Sequence, residues 1–139
     1  MDRHVLVPVD NSEASWQALD EALAQYSGGR ITVLHVIDPH EGDYYQEARD
    51  ADPQKRSETI ERTARERFES VAGAEATAFE TVVETGKPAQ AILRYAEDAD
   101  IDQIVIGSRG LSGLSRVLLG SVAESVVRRA PVPVTVVRE

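Results

Sequence analysis

The chain has 139 residues, 42% apolar and 28% charged, which is long enough for one domain with its own core and too short for two. It contains no uncharged apolar run near the ~20 residues of a membrane-spanning helix, no secretory signal pattern at its start, and no cysteine. These features exclude an integral membrane protein, disulfide bonds and thiolate chemistry, and they predict a single cytoplasmic domain over residues 1–139.

The charge balance is strongly acidic. The 24 acidic and 15 basic residues give a net charge of −9, which repels a phosphate backbone and predicts that the chain does not bind nucleic acid. Only two of the basic residues, Lys55 and Lys87, are lysine. An acidic surface so poor in lysine predicts a halophilic protein, and the alternative is a GC-rich genome, which also favours arginine over lysine.

Five short runs rich in Val, Ile and Thr alternate with four helical patterns along the chain. The predicted strands are 4–10, 30–37, 76–84, 101–107 and 132–138. Pro8 lacks a backbone donor, so it is predicted at the carboxyl end of the first strand, where the ladder opens. Residues 38–52 carry six acids without periodicity and are interpreted as a mobile excursion between the second strand and the second helix.

The helix boundaries are marked by capping residues. Ser12 is the predicted N-cap of the first helix, which stops at Gly28-Gly29, and Asp52-Pro53 begins a second helix that ends at Gly73. Gly86-Lys87-Pro88 opens the third helix, which ends near Asp98. The fourth begins after Gly120, where Ser121 and Glu124 predict a capping box, and Pro131 stops it. This alternation predicts a doubly wound α/β fold, with a five-stranded parallel sheet and helices on both faces.

The ends of the first and fourth strands carry the predicted ligand site. In open α/β sheets, ligands bind beyond the carboxyl ends of strands where the winding reverses. Gly107 and Gly110 remove Cβ atoms where the backbone must approach a ligand or adopt positive φ, and Gly120 precedes a helix N-terminus that suits an anion. Residues 107–129 contain four arginines and one acid, a local charge of +3 in a chain of −9. This combination predicts a phosphate-containing ligand.

The glycine spacing differs from the common phosphate-binding motifs. The chain lacks both the P-loop pattern and the Rossmann pattern G-x-G-x-x-G, and it contains Gly107-x2-Gly110-x9-Gly120-Ser121 instead. That motif resembles the ATP-binding members of the universal stress protein family. The same resemblance extends to Val7-Pro8-Val9-Asp10, Leu34-His35-Val36, Gly86-x-Pro88-Ala89-x2-Ile92, Val105-Ile106-Gly107-Ser108-Arg109-Gly110 and Pro131-Val132-Pro133-Val134.

The resemblance implies a sheet of order 3-2-1-4-5, a homodimer and bound ATP with Mg²⁺ carried on its phosphates. Asp10 would hydrogen-bond the nucleoside, Val36 and Ile106 would pack on adenine, and the main chain of 107–110 and 120–123 would hold the phosphates. The implied ATP-binding residues are Pro8, Val9, Asp10, Val36, Ile106, Gly107, Arg109, Gly110, Gly120, Ser121, Val122 and Ala123. Ala123 departs from the family pattern, which often has a hydroxyl residue there.

The implied strand order places the last strand at an edge of the sheet. Residues Val132–Val137 are apolar and uncharged, and a free edge of this kind invites aggregation unless it is covered. We therefore expect this strand to meet the same strand of a second copy in a two-fold homodimer.

Structural alternatives stand beside each functional interpretation. Asp10 could serve only as the N-cap of the first helix, the glycines could serve only turns, and His35 is interpreted as a satisfied core or edge histidine. His40, Glu41 and Asp43 are interpreted as part of a solvated acidic loop rather than a cation site.

Two other functions remain open from the sequence. One is a dimeric interaction module without nucleotide, and the other is a slow nucleotide hydrolase or phosphotransferase. No motif places a general base, a Walker lysine or paired metal-binding acids near the glycine loop, so we predict neither catalytic residues nor a protein-held metal. The predicted function is that of an ATP-binding stress-response or regulatory protein.

Overall fold

The structure is a computed structural model that describes residues 3–39, 52–71, 73–108 and 119–138. The strands are β1 (His4–Pro8), β2 (Arg30–Ile37), β3 (Ala78–Thr85), β4 (Gln103–Gly107) and β5 (Val134–Val137). The helices are α1 (Glu13–Gln25), α2 (Pro53–Glu69), α3 (Pro88–Asp98) and α4 (Ser121–Arg129), with a 3₁₀ turn at Ala74–Ala76.

The five strands form one parallel sheet in the order β3-β2-β1-β4-β5. The predicted doubly wound α/β fold and the order 3-2-1-4-5 are therefore confirmed. β1 lies at the centre, between β2 and β4. From β1 the chain adds β2 and β3 on one side of the sheet, and then β4 and β5 on the other side. The reversal of winding thus falls between β1 and β4, whose carboxyl ends meet at one edge of the sheet.

Each face of the sheet is covered by two helices. Val5 and Val7 of β1 belong to a core cluster with residues of α1 and α2, whereas Leu6 belongs to a second cluster with residues of α3 and α4. Successive side chains of a strand point to opposite faces, so β1 is apolar on both of them. All five residues of β1 are buried, as expected for the central strand of a parallel sheet.

Pro8 occupies the last position of β1, as predicted. The Val9 N–H donates to the Leu34 carbonyl of β2 at 2.9 Å, and successive N–H groups point to opposite sides of a strand. The missing donor of Pro8 therefore faces β4, with which β1 pairs at Val5 and Leu6. Proline costs this sheet no ladder bond because the β1–β4 pairing has already ended.

Several predicted strand boundaries are wrong by one or two residues. β1 ends before Val9 and Asp10, which enter a turn. β3 begins at Ala78 because the preceding residues form the 3₁₀ turn, and it extends to Thr85 rather than Glu84. β4 begins at Gln103 and β5 spans only Val134–Val137, because pairing to the neighbouring strand, rather than residue type, sets the strand ends.

The helix starts are predicted better than the helix ends. Ser12 and Asp52 are the N-caps of α1 and α2, since each side chain accepts a hydrogen bond from a first-turn N–H. α2 ends at Glu69, before the predicted Gly73, which has φ 78° and begins the 3₁₀ turn. Within the described ranges, none of the helices combines the length and the apolar character that a bilayer crossing requires.

The predicted capping box of α4 is wrong, although the helix does begin directly after Gly120. Gly120 is itself the N-cap, with φ −68° and ψ 161°, and its carbonyl accepts from the Glu124 N–H at 2.8 Å. Ser121 is therefore the first helical residue, one position too late to cap. The Glu124 carboxylate pairs one turn further on with Arg128 at 3.2 Å.

Candidate functional site

The candidate site lies where β1 and β4 end side by side. The chain leaves β1 through residues 9–12 into α1, and it leaves β4 at Ser108 on the way to α4. Crevices at such a reversal bind ligands because two chain segments diverge and leave a gap between them. Arg109 and Gly110, two of the predicted site residues, lie outside the described residues.

Asp10 is held in a tight turn before α1. Its Oδ1 accepts a hydrogen bond from the Ser12 N–H at 3.0 Å, and Asn11 between them has φ 71°, a left-handed conformation that asparagine tolerates. Trp16 ties the turn to the helix, because its Nε1–H donates to Asn11 Oδ1 at 3.0 Å. Asp10 is half-buried, so this carboxylate is fixed in position with part of its surface still accessible.

The alternative that Asp10 is the N-cap of α1 is wrong. Ser12 holds that position, and its Oγ accepts from the Ser15 N–H at 3.2 Å. Ser15 in turn donates its hydroxyl to the Ser12 carbonyl at 2.8 Å. The first turn of α1 is thus satisfied by its own side chains, and Asp10 acts one step earlier by ordering the turn.

Both main-chain polar groups of Val9 are hydrogen-bonded to residues of β2. Its N–H donates to the Leu34 carbonyl, and its carbonyl accepts from the His35 Nδ1–H at 3.2 Å. Nδ1 must carry the proton because a carbonyl oxygen can only accept. The Val9 side chain lies in the core cluster of α1 and α2, so Val9 offers the site only its main chain.

His35 is a core histidine, as predicted, but among the described residues only one of its nitrogens has a hydrogen-bond partner. It is 4% exposed, and Nε2 has no hydrogen-bond partner among the described residues. Burial, the largest cause, lowers the pKa of His35, whereas the hydrogen bond to Val9 acts in the opposite direction. The lowered pKa favours the neutral ring, in which Nδ1 carries the proton and Nε2 is an acceptor.

Gly107 is a glycine for a reason that differs from the predicted one. A Cβ on Gly107 would lie 2.7 Å from both the carbonyl carbon and the carbonyl oxygen of Ala14 in α1. Real Cβ atoms do not approach backbone this closely, and Gly107 is absent from the described glycines with positive φ. Helix packing against the end of β4 therefore explains this residue without a ligand.

The two ends of the glycine motif are joined directly. The Gly120 N–H donates to the Ser108 carbonyl at 2.6 Å, and the Ser108 N–H donates to the Val137 carbonyl of β5 at 2.9 Å. These bonds fix the start of α4 against the ends of β4 and β5. No role is predicted for Ser108 from the sequence, and the available signal was a polar residue directly after a buried strand, between two glycines of the motif.

The N-terminus of α4 lacks a side-chain cap. Gly120 has no side chain to accept from the N–H groups of Ser121, Val122 and Ala123, and no side-chain cap bond is formed within the part of the chain that the structure describes. Free N–H groups at a helix start carry a partial positive charge and bind anions. This end of α4 is therefore suited to hold a phosphate.

Four apolar residues of the predicted site lie on the face of the sheet opposite the Val9 side chain. Val36, Ile106 and Ala123 belong to the core cluster of α3 and α4, and Val122 packs against it. Val36 is 8% exposed and Ile106 is 5% exposed, so both approach the surface at the carboxyl edge. Ala123 is buried, which directs its methyl group into the core and leaves only its main chain for a ligand.

The described residues hold no cluster of three or more His, Cys, Asp or Glu side chains that could bind a metal ion. His40, Glu41 and Asp43 lie outside the described residues, as does most of the acidic segment 38–52.

Comparisons with known proteins identify the family. The family model described as the universal stress protein family matches residues 1–138. A universal stress protein from Thermus aquaticus is 34% identical over 140 residues, covering 99% of this chain and 100% of the relative.

Solved structures agree with the fold. The universal stress protein UspA from Lactobacillus plantarum superimposes with a TM-score of 0.80 at 30% identity, covering 98% of this chain and 97% of that one. A universal stress protein in complex with cAMP gives a TM-score of 0.74 at 27% identity, covering 97% and 96%. With a family model over nearly all of its length, this chain belongs to the universal stress protein family.

Proposed function

We propose that this protein binds an adenine nucleotide, ATP, at the carboxyl edge between β1 and β4, and acts in the cytoplasm as a stress-response or regulatory protein. One observation carries the proposal: the N-terminus of α4, which has no side-chain cap among the described residues, is tied by the Gly120–Ser108 bond to the end of β4, next to the turn that carries Asp10. The similar protein solved with cAMP, which contains adenosine and a phosphate, supports the same ligand class.

The site divides into a nucleoside end and a phosphate end. Asp10 would accept hydrogen bonds from the nucleoside, with Pro8 and Val9 beside it, and Val36 and Ile106 would contact adenine. The phosphates would lie on the N–H groups of Ser121, Val122 and Ala123 and on the main chain of 107–110, with Arg109 adding positive charge. Mg²⁺ would be carried on the phosphates.

A substitution at Gly120 tests the phosphate end. The φ and ψ of Gly120 are open to any residue, so Gly120→Asp would place a carboxylate where it caps α4 and repels phosphate. Gly120→Asn is the matched control, because it has the same shape and caps without charge. Calorimetry is expected to show affinity for ATP at least about tenfold lower in the Asp variant than in the Asn variant, while both melt no lower than wild type.

Equal ATP binding by the Asp and Asn variants would contradict the phosphate assignment. A wild-type protein that neither binds ATP nor releases a nucleotide when denatured would favour the alternative of an interaction module without nucleotide. Mass spectrometry of the released small molecules also separates ATP from AMP and cyclic nucleotides.

We also propose that the bound nucleotide is not turned over at an enzymatic rate. Asp10, the acidic side chain of the site, is engaged by the Ser12 N–H and orders the turn. Phosphate release at saturating ATP and Mg²⁺ should stay far below the ~1–10³ s⁻¹ of ordinary enzymes. A rate above about one per second would favour the hydrolase alternative.

We propose that the protein is a homodimer through the edge formed by Val132–Val137. Val134 and Val136 are only partly buried, although they pack against the core cluster of α3 and α4. The carbonyls of Pro133 and Val137 face β4, so the main-chain groups of Val134 and Val136 face outward. This outward row is free to pair with a two-fold copy.

A proline at the outward position tests the dimer. Val136→Pro removes one outward donor. Val83→Pro is the matched control at the other edge of the sheet, in β3. The Ala78 and Gly86 N–H groups point to β2, so the N–H groups of odd-numbered β3 residues, including Val83, point away from the sheet. Sedimentation should show a dimer for wild type and Val83→Pro and a monomer for Val136→Pro. A monomeric wild type, or a dimer that only Val83→Pro disrupts, would contradict this interface.

A further inference from the structure

His35 lies behind the nucleoside end of the candidate site. Its ring faces the α2 side of the sheet, opposite Val36, and its Nδ1–H bonds the carbonyl of Val9, the residue immediately before Asp10. The Val9 N–H is already held by Leu34. Together these two bonds hold both main-chain polar groups of Val9, the residue at which the Asp10 turn begins.

The ring of His35 lines a small cavity with largely apolar walls. Nε2 and Ser57 Oγ are both buried without a hydrogen-bond partner among the described residues, and both side chains line a cavity of about 10 Å³ between β2, β3 and α2. A second cavity of about 20 Å³ lies against the ring beside Asp38 and Arg56. A cavity of this size holds at most about one water molecule, and no hydrogen bond joins the Ser57 hydroxyl to Nε2.

The charges around the ring come from three places. Asp10 acts from the turn after β1, Asp38 lines the cavity after β2, and Arg56 and Glu61 line it from α2. The β3 residues that line the cavity are uncharged. Burial and then Arg56 lower the pKa of His35, against the opposing effects of the Val9 bond and Asp10. A second proton would therefore place an unsolvated cation in the core, beside another cation.

We infer that His35 is a positioning residue that holds the turn 9–12 through the Val9 carbonyl, and that a second proton at Nε2 displaces the ring and loosens this turn. The consequence for ATP rests on the proposed function, because it requires that Asp10 contact the nucleoside. One end of the site would thereby respond to pH through a residue that does not itself contact the ligand.

Nuclear magnetic resonance of the intact chain tests this directly. We expect the His35 ring to carry its proton on Nδ1 at neutral pH, and the amide signals of Asp10, Asn11 and Ser12 to move with the same midpoint as the ring when the pH is lowered. His4 is the control, because it is also buried but lies at the other end of β1. Its titration should leave the three amides unchanged.

Two variants separate the hydrogen bond from the bulk of the side chain. His35→Leu fills the space without a donor, whereas His35→Asn retains a donor near the Nδ1 position. We expect His35→Leu to shift the three amides and to weaken ATP binding about tenfold, and His35→Asn to restore binding to within about threefold of wild type.

A ring protonated on Nε2 alone, turn amides that ignore the His35 titration, or a folded His35→Leu protein with wild-type amides would each overturn the inference. If wild-type protein fails to bind ATP, the proposed function fails by itself. The ring tautomer and the amide titration then still decide whether His35 positions the turn.

Discussion

The N-termini of α1 and α4 stand at the same edge of the sheet, yet their backbone donors are satisfied differently. At α1, the Ser12 hydroxyl accepts from the Ser15 N–H, and the Asp10 carboxylate accepts from the Ser12 N–H. At α4, Gly120 offers no side chain. One helix start is closed by its own sequence, whereas the other leaves donors for a group from outside the helix.

The charges of the first turns follow the same division. Glu13 lies in the first turn of α1 and suits the positive end of that helix. Glu124 also lies in the first turn of α4, but its carboxylate pairs with Arg128 of the next turn at 3.2 Å. The positive end of α4 is thus compensated less by its own residues, which is the condition under which a bound phosphate stabilises a helix start.

The largest expected effect comes from the contact between the start of α1 and the end of β4, the strand to which Gly120 is tied. Gly107→Ala would place a methyl group 2.7 Å from the Ala14 carbonyl in the first turn of α1. Because backbone must move to relieve this overlap, we expect the free energy of unfolding to fall by about 3 kcal/mol. Urea unfolding measures it. An unchanged midpoint would mean that α1 and β4 are not packed this closely.

Removing the cap compares the two helix starts themselves. Ser12→Ala deletes the hydroxyl that accepts from Ser15, and we expect a loss of about 1 kcal/mol. Ser121→Ala is the matched change in α4, where the serine is exposed and is not the cap, and we expect less than about 0.5 kcal/mol. Equal losses in urea unfolding would show that Ser121 caps after all.

A smaller effect is expected from pH, and it acts through two buried histidines. Burial lowers the pKa of both His4 and His35 below the ordinary value of 6.5, so the unfolded chain binds more protons than the folded one in the window just below that value. Stability should therefore be complete above pH 6.5 and should fall as the pH drops through the lowered pKa values.

Urea midpoints between pH 8 and pH 5 measure this dependence of stability on pH. The two histidines contribute to it separately. His35→Asn and His4→Asn should each flatten part of the curve. A stability that rises on acidification would reverse the sign and contradict the burial of neutral rings.

The smallest expected effects are those of salt on the melting temperature and on ATP binding. A net charge of −9 repels itself, and at about 1 M KCl the screening length is only ~3 Å, so the melting temperature should rise with salt. ATP binding at α4 should weaken under the same conditions, because salt screens its attraction to phosphate. A flat melting temperature would leave genome composition as the explanation of the few lysines.

Local signals predicted the first helix start and failed at the last. Ser12 and Asp52 were identified as caps because a side-chain oxygen placed just before a helical pattern satisfies a nearby N–H. Ser121 and Glu124 have the spacing of a capping box, but the bond from Gly120 to Ser108 accompanies a helix that begins one residue earlier than that box requires. That bond joins residues 12 positions apart in the sequence, and no local pattern encodes it.

The sequence by itself determined the alternation of strands and helices, the apolar character of β1 on both faces and the family. These are properties of residues close together along the chain, where period and capping chemistry act. Only the tertiary structure decided that Gly107 packs on Ala14 and that His35 bonds Val9 with one nitrogen while the other remains unpartnered among the described residues. Both depend on which distant segments meet, and that is set by the packing of helices onto the finished sheet.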